Sequence, residues 1–167
     1  MINIEEFILT PFVDNELDFS HYYQLVGNAA IMAMITERAL PADEARADFK
    51  KILHINGKHS RFGNFKILDR DSGAFIGLGK LEFGEEQADA AELGYIIIPE
   101  RQGQGIAGKI AKGLIAHARE QAKVSKLFAI IDPNNLPSRK ILLNNGFIST
   151  EVLLMDGLPG EILELTL

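Results

Sequence analysis

The sequence predicts an α+β domain built on one mixed, mostly antiparallel central sheet of about seven strands, flanked by about four helices. Two observations support this class. Short apolar runs of strand composition recur along the chain, separated by turns that contain Gly, Asp and Pro. One amphipathic helical segment lies between two such runs, and this strand, helix, strand order predicts a parallel pair within an otherwise antiparallel sheet.

The first half of the chain is predicted to contain a strand, two helices and a hairpin. Residues 7–12 have strand composition, and residues 15–26 carry apolar side chains at helical spacing. A second helix is predicted from Pro41 to Ile55, with acidic residues in its first turn and lysines towards its end. A polar turn then joins a strand at residues 65–68 to a longer one at residues 74–83.

The second half contains the predicted parallel pair. Glu92–Ile98 is an Ile-rich strand that Pro99 ends, and an amphipathic helix begins at Gly105. Leu127–Ile131 is the short buried strand that follows this helix. The chain is predicted to close with a short helix and two strands, at residues 138–144, 147–154 and 161–167.

Length and composition favour a single domain over residues 1–167. Of the 167 residues, 47% are hydrophobic, which suits one core. The chain has no cysteine, which excludes disulfides, thiolate metal sites and a cysteine acyl-enzyme. The amino terminus lacks a signal-peptide pattern and no apolar run reaches membrane-spanning length, so we expect a cytoplasmic protein.

The distribution of charge argues against two classes of partner. A net charge of −6 argues against a nucleic-acid binder and against a binder of anionic membranes, because both need a basic surface. Residues 101–126 depart from this average, with six Lys or Arg against one acid; this favours an anion site, although a solvated helix face is the commoner meaning. The four histidines show no metal-ligand spacing, so no metal is expected.

A glycine-rich stretch, PERQGQGIAGKI from Pro99 to Ile110, fits two general phosphate-binding patterns. As a nucleoside-triphosphate loop, G-x-x-x-x-G-K, it fails because Ile110 stands where Ser or Thr must bind Mg²⁺. As a dinucleotide fingerprint, G-x-G-x-x-G, it has Asp132 in place for a ribose. However, four residues separate the strand from the first glycine, and too little chain follows for a doubly wound sheet.

The physical meaning of these glycines does not depend on either pattern. Glycines allow successive main-chain N–H groups to point the same way, and the following helix adds its positive end. A turn that only packs the helix closely would not need three glycines in six residues, because each costs conformational entropy on folding. The stretch therefore predicts a site for a diphosphate.

Two motifs give a more specific interpretation. Gln102, Gly105 and Ala107 fit Q/R-x-x-G-x-G/A, and the segment NNLPSRKILLNNGF carries N-x-x-S followed by G-F, with Asn135 and Ser138 in its first part. Together they resemble the GNAT superfamily of acetyl-CoA-dependent N-acetyltransferases. The second motif is typical of the ribosomal-protein alanine N-acetyltransferase (RimJ/RimL-like) branch, and the similarity extends from Phe7 to the end of the chain.

The resemblance implies where acetyl-CoA, the expected cosubstrate, binds. In this family the fourth and fifth strands splay apart and the pantetheine arm lies between them. Backbone groups of Ile96 and Ile98, with Ile97 between them, are then implied to pair with the arm. Asn135 is implied as a further pantetheine ligand, against an ordinary turn role. The diphosphate is implied on main-chain N–H groups of one loop, formed by Gln102, Gly103, Gln104, Gly105, Ile106 and Ala107.

The resemblance also implies two catalytic residues. The simplest mechanism without cysteine is direct attack of an amine on the thioester, with the oxyanion held by N–H groups of the fourth strand. Glu92 resembles the family's general base, often acting through water, although a solvated residue at a strand start is equally consistent. Ser138 is implied as the acid that protonates the leaving thiolate, although it could instead cap a helix. Many members have a tyrosine where this chain has Leu142, so the usual acid is missing.

The expected function is N-acetyl transfer from acetyl-CoA to a primary amine, either a protein N-terminal amine or a small-molecule amine. The acidic remainder of the chain suits a cationic acceptor. We expect no nucleic-acid or membrane partner, and a monomer or a homodimer. Two alternatives are a non-catalytic acyl-CoA-binding or sensor protein of the same fold and a nicotinamide-dependent enzyme.

Overall fold

The computed structural model describes residues 1–35 and 38–167 and contains one eight-stranded sheet in the order β1-β2-β3-β4-β5-β6-β8-β7. The strands are β1 (Ile2–Ile4), β2 (Phe7–Pro11), β3 (Gly63–Asp69), β4 (Phe75–Phe83), β5 (Ala90–Ile97), β6 (Lys126–Ile131), β7 (Ile148–Met155) and β8 (Leu158–Thr166). The helices are α1 (Glu16–Val26), α2 (Ala29–Met34), α3 (Ala42–Asn56), α4 (Ile106–Arg119) and α5 (Leu136–Asn144), with a 3₁₀ turn over Pro99–Arg101. The predicted fold class is confirmed.

Two short elements were not predicted, one strand and one helix. β1 has three residues and α2 has six, and neither is long enough to show a period in the sequence. β1 forms because it pairs antiparallel with β2, with Ile2 opposite Leu9. α2 forms because the side chain of Asn28 accepts a hydrogen bond from the N–H of Ile31 and so caps its start.

The parallel pair opens into a gap. β5 and β6 pair over only three positions, from Ala90 opposite Lys126 to Glu92 opposite Phe128. β5 nevertheless continues to Ile97 against β4, and β6 continues to Ile131 against β8. The splayed pair is therefore present, and the gap begins directly after Glu92.

Hydrophobic packing fixes the elements on both faces of the sheet. On one face Ile110 and Leu114 of α4 belong to the same core cluster as Leu93 of β5 and Leu127 of β6, and all four are at most 2% exposed. Full burial of such a side chain contributes roughly 1.5–3 kcal/mol, so this packing holds α4 on the sheet. On the other face α1 and α3 pack around Phe49. None of the helices in residues 1–35 and 38–167 has the length and apolarity to cross a membrane.

Candidate active site

The glycine loop makes two left-handed turns between β5 and α4. Gly103 has φ +74° and Gly105 has φ +76°, in the region that L side chains rarely adopt. Gly105 is also the residue that caps α4. A Cβ placed on either glycine meets no atom within 4 Å, so both face open space. These two positions therefore require glycine for their positive φ angles, and they leave the loop surface open for a ligand.

The main-chain N–H groups of this loop are largely free to bind a ligand. The first hydrogen bond of α4 runs from the N–H of Lys109 to the carbonyl of Gly105, so the N–H groups of residues 106–108 have no acceptor within the helix. Those of residues 103–105 also have no acceptor in the described part of the chain. Free N–H groups at a helix start, where the helix dipole is positive, form an anion site.

Gln102 takes a different role from the one implied by the resemblance. Its N–H donates to the carbonyl of Pro99 at 3.2 Å, and its side-chain amide donates to the carbonyl of Ile97 at 2.9 Å. Both bonds tie the loop to the end of β5. The free donor set therefore begins at Gly103 and extends to Gly108, one residue further along than expected.

The sheet register also changes which residues of β5 face the gap. The N–H of Ile98 donates to the carbonyl of Ile76 at 3.0 Å, so Ile98 is directed towards β4. Backbone direction alternates along a strand, and Ile96, opposite Leu78, is therefore directed the same way. The expectation that Ile96 and Ile98 pair with a ligand in the gap does not fit this register. The N–H groups of Tyr95 and Ile97 face the gap instead.

Two cavities meet at the gap. A groove of about 520 Å³ runs along the glycine loop and the start of α5. A larger cleft of about 940 Å³ opens on the other side, between α1, α3, strands β4, β5 and β6, and the β7–β8 turn. The two cavities share six of their lining residues, namely Met34, Ile35, Tyr95, Ile96, Asn135 and Ser138. A ligand in the groove and a ligand in the cleft can therefore touch each other.

Glu92 lies in the cleft at the last paired position of β5, where the gap begins. Its carboxylate accepts a hydrogen bond from the Nζ of Lys80 on β4 at 2.7 Å, and both side chains are 26% exposed. Glu82 is the residue opposite Glu92 on β4, and its carboxylate accepts from the amide of Asn64. Glu92 is thus half-buried, oriented by one cation and open to the cleft.

Ser138 does not cap a helix. α5 begins at Leu136, and its cap is Asn135, whose side-chain oxygen accepts from the N–H of Ser138 at 3.3 Å. The hydroxyl of Ser138 instead lies 2.9 Å from the phenol oxygen of Tyr95 on β5. Leu142, where the resemblance implies a tyrosine, is buried in the core and offers no hydroxyl.

Tyr95 is the site residue that sequence reasoning missed. It follows Gly94 in an apolar strand, where a tyrosine is an ordinary strand residue and carries no signal of its own. Burial raises the pKa of its phenol, and the hydrogen bond to Ser138 partly offsets this by lowering it. The phenol is therefore protonated at neutral pH.

Carboxylates dominate the large cleft. Six carboxylates and two lysines line it, namely Glu44, Asp48, Glu82, Glu92, Asp132 and Asp156 against Lys51 and Lys80. Some of these carboxylates are engaged, since Asp48 accepts from the phenol of Tyr22 at 2.6 Å. Burial, with this bond to Asp48 as the next cause, raises the pKa of Tyr22. The excess of carboxylates favours a cationic guest.

Several residues singled out from the sequence lie away from the groove. Lys109 forms ion pairs with Glu5 at 3.0 Å and Glu6 at 2.7 Å, so it does not serve the loop as a triphosphate lysine does. Asp132 lines the cleft and not the glycine groove, so it is misplaced for the ribose of a dinucleotide. Among the described residues, no cluster of His, Asp or Glu is arranged to hold a metal ion.

A mixed sheet with one splayed parallel pair, and a glycine loop where that pair opens, is the arrangement of an acyltransferase fold. The sequence profile of the acetyltransferase (GNAT) domain matches residues 6–148. This match covers most of the chain, so the protein belongs to the GNAT acetyltransferase family. No curated protein sequence matches it.

Solved structures agree on the fold at low sequence identity. An acetyltransferase of the GNAT family from Bacillus anthracis superposes with a TM-score of 0.80 at 16% identity, over 99% of this chain and 97% of that one. Spermidine N-acetyltransferase from Vibrio cholerae, in complex with CoA and spermine, gives 0.79 at 20% identity, over 96% and 95%. RimL, a ribosomal L7/L12 α-N-protein acetyltransferase in complex with coenzyme A, gives 0.81 at 16%, over 99% and 97%.

Proposed function

We propose that this protein transfers an acetyl group from acetyl-CoA to a primary amine, by direct attack within a ternary complex. One observation carries the proposal most: the two cavities meet at the parted strands, beside a loop of free main-chain N–H groups. In this arrangement a thioester in the groove and an amine in the cleft meet at the gap. Holding both reactants in place lowers the entropic cost of bringing them together.

The groove fits coenzyme A by its chemistry. The free N–H groups of residues 103–108 suit the diphosphate, and the open space at Gly103 and Gly105 lets phosphate oxygens approach the backbone. The N–H groups of Tyr95 and Ile97 suit the amides of the pantetheine arm as an added strand would. Asn135 lines the same groove, so a contact from its side-chain amide to the arm stays part of the proposal.

The residues around the gap then divide the proton transfers. Glu92, facing the cleft, accepts the proton of the incoming ammonium group, directly or through water. The N–H groups of β5 that face the gap stabilise the oxyanion as the amine attacks. Ser138, which lines both cavities where they meet, donates a proton to the departing sulfur. Lys80 holds the carboxylate of Glu92 in place between turnovers.

The acceptor is proposed to be a cationic primary amine. At pH 7 roughly a tenth of an α-amino group is neutral, whereas a lysine-type amine is neutral at well below one part in a thousand. Glu92 therefore matters more for the second kind. The carboxylates of the cleft support a polycation such as a polyamine, and the basic amino terminus of a protein is the second acceptor class to test.

The experiment is release of free coenzyme A by the purified protein. Acetyl-CoA is incubated with spermidine, with N-terminal Ala and Ser peptides, and with a lysine side-chain peptide, and thiol release is followed against an amine-free control. We expect release with at least one amine, together with an acetylated product of the matching mass. Binding of acetyl-CoA with no release across the panel would favour a sensor of the same fold, and stabilisation by NAD(H) but not acetyl-CoA would contradict both.

A further inference from the structure

A hydroxyl pair spans the gap at the junction of the two cavities. The phenol oxygen of Tyr95 lies 2.9 Å from Oγ of Ser138 and 3.5 Å from the carbonyl oxygen of Ser138. Both side chains line both cavities. The pair joins β5 to α5 where the sheet itself provides no hydrogen bonds between β5 and β6.

The surroundings of this pair leave the serine hydroxyl available for chemistry. Asn135 already caps α5, so Ser138 is not needed for capping. The phenol of Tyr95 is largely buried and has Ser138 as its only hydroxyl partner in the described part of the chain. Buried hydroxyl groups are normally paired, so each group holds the other in one orientation.

We propose that Tyr95 is a positioning residue for acetyl transfer, which orients the hydroxyl of Ser138 towards the departing sulfur and returns a proton to it. The inference rests on the proposed function. It assigns the role of the tyrosine that is expected on α5, where this chain has Leu142, to a tyrosine on β5. Burial raises the pKa of Tyr95, so the phenol carries its proton at neutral pH, whereas the hydrogen bond with Ser138 lowers this pKa and favours transfer of the proton to Oγ.

The proton and electron balance of this step closes without a further reactant. When the C–S bond breaks, its electron pair goes to sulfur, which takes the proton of the Ser138 hydroxyl. Oγ takes the phenol proton of Tyr95. The attacking nitrogen loses its extra proton to water in the open cleft, and the tyrosinate recovers a proton from water, so no proton is gained or lost overall. A thiol has a pKa of about 8.5 and a phenol about 10, whereas an aliphatic hydroxyl is a far weaker acid. Charge on Tyr95 is therefore less costly than charge on Ser138.

The competing role for the pair is purely structural. In that case the bond only ties β5 to α5, and its loss would loosen the groove. The two roles predict different kinetics. A structural tie affects the KM for acetyl-CoA and the melting temperature, whereas a proton-supplying residue affects kcat and depends on the acidity of the phenol.

The test combines Tyr95→Phe, Ser138→Ala and the double variant, with Tyr23→Phe as the control because Tyr23 lines neither cavity. Rates are measured with acetyl-CoA and spermidine, or with whichever amine of the panel is acetylated. We expect Ser138→Ala to lower kcat about 100-fold, the lower end for general acid catalysis. Tyr95→Phe should lower it roughly tenfold, and the double variant should match Ser138→Ala, because both residues act in one step.

Replacing tyrosine by 3-fluorotyrosine separates the two roles most sharply. The fluorinated phenol has nearly the same shape but is more acidic, and the chain has only three tyrosines and no tryptophan. We expect fluorinated wild-type protein to turn over about twofold faster, as a Brønsted dependence requires, and fluorinated Tyr95→Phe to match its unlabelled form. The ¹⁹F signal of Tyr95 should move in Ser138→Ala while those of the other two stay.

The outcomes keep the two proposals distinguishable. Normal kcat in Tyr95→Phe, or a change confined to KM and melting temperature, would overturn the role of Tyr95 and leave the proposed function intact. No release of coenzyme A by wild-type protein with any amine would overturn the proposed function, and this inference with it.

Discussion

The two ends of the gap are built in different ways. At the cofactor end, the glycine loop offers main-chain N–H groups, and its side chains matter mainly by being absent at Gly103 and Gly105. At the acceptor end, the cleft is built from side chains on α1, α3, β4, β5 and the β7–β8 turn. Main-chain chemistry leaves a local pattern in the sequence, whereas side-chain chemistry assembled from distant elements does not. Substitutions in the glycine loop should therefore affect cofactor binding, and substitutions in the cleft should affect the acceptor.

The largest effect is expected from a charge placed on the loop. Gly105→Asp adds a carboxylate beside the diphosphate and a side chain at φ +76°. At about 4 Å, charge repulsion costs roughly 4 kcal/mol at an effective dielectric constant of 20, so the Kd for acetyl-CoA should rise at least 100-fold. Isothermal titration calorimetry measures this directly.

Gly157→Asp is the matched control for that substitution. Gly157 has φ +80°, and a Cβ there also meets no atom within 4 Å, but it lies in the β7–β8 turn outside the groove. We expect a similar loss of stability from backbone strain with an unchanged Kd for acetyl-CoA. An equal loss of affinity in both variants would mean that strain, and not the diphosphate, explains the result.

The fold was predictable because its longer elements show clear periods. In residues 1–35 and 38–167, seven of the eight strands and four of the five α-helices follow from apolar spacing and turn residues, and α4 packs through the apolar face of its amphipathic sequence. β1 and α2 could not be predicted because three and six residues carry too little periodicity. Pairing with β2 and the Asn28 cap, both contributed by neighbouring residues, decide their structure.

The second largest effect is expected at the acceptor end. Glu92→Gln removes the proposed base and should lower kcat about 100-fold with a lysine-type amine, the lower end for general base catalysis. The loss should be smaller with an N-terminal peptide, because more of an α-amine is already neutral. Steady-state rates with the two acceptors give the comparison.

Glu82→Gln tests whether this effect belongs to Glu92. Glu82 stands opposite Glu92 on β4 and lines the same cleft, but its carboxylate accepts from Asn64. We expect Glu82→Gln to change KM for the amine by a few-fold at most, as loss of one partly exposed charge does. A kcat loss equal to that of Glu92→Gln would reassign the base.

The candidate site was only partly predictable, for reasons of register. Main-chain N–H groups alternate in direction along a strand, so the sequence predicts that those of Tyr95 and Ile97 point one way and those of Ile96 and Ile98 the other. Only the pairing with β4 decides which of the two sets faces the gap. The Tyr95–Ser138 bond depends likewise on how far α5 stands from β5. The glycine loop needed no such information, because its conformation is local.

A moderate effect is expected from salt if the acceptor is a polycation. The KM for spermidine should rise several-fold between about 0.05 and 0.5 M NaCl, because salt shortens the Debye length and screens the attraction between the polycation and the carboxylates of the cleft. Asp156→Asn should raise KM at low salt and weaken the salt dependence. A KM for spermidine that is independent of salt would contradict a role for the cleft's charge.

The smallest effect is expected at Lys109, which occupies the lysine position of the G-x-x-x-x-G-K pattern. Lys109 is held by Glu5 and Glu6, and their contacts raise its pKa. Lys109 does not line the groove, so Lys109→Met should leave the Kd for coenzyme A within about twofold. Loss of its exposed ion pairs should also change stability little. A tenfold loss of affinity would show that this lysine reaches the phosphates after all.

The most direct test of the central claim is a crystal structure with coenzyme A. We expect diphosphate oxygens to lie within hydrogen-bonding distance of at least three main-chain nitrogens among residues 103–108, with the pantetheine arm along Tyr95 and Ile97. A diphosphate bound elsewhere, with those nitrogens facing only solvent, would contradict it.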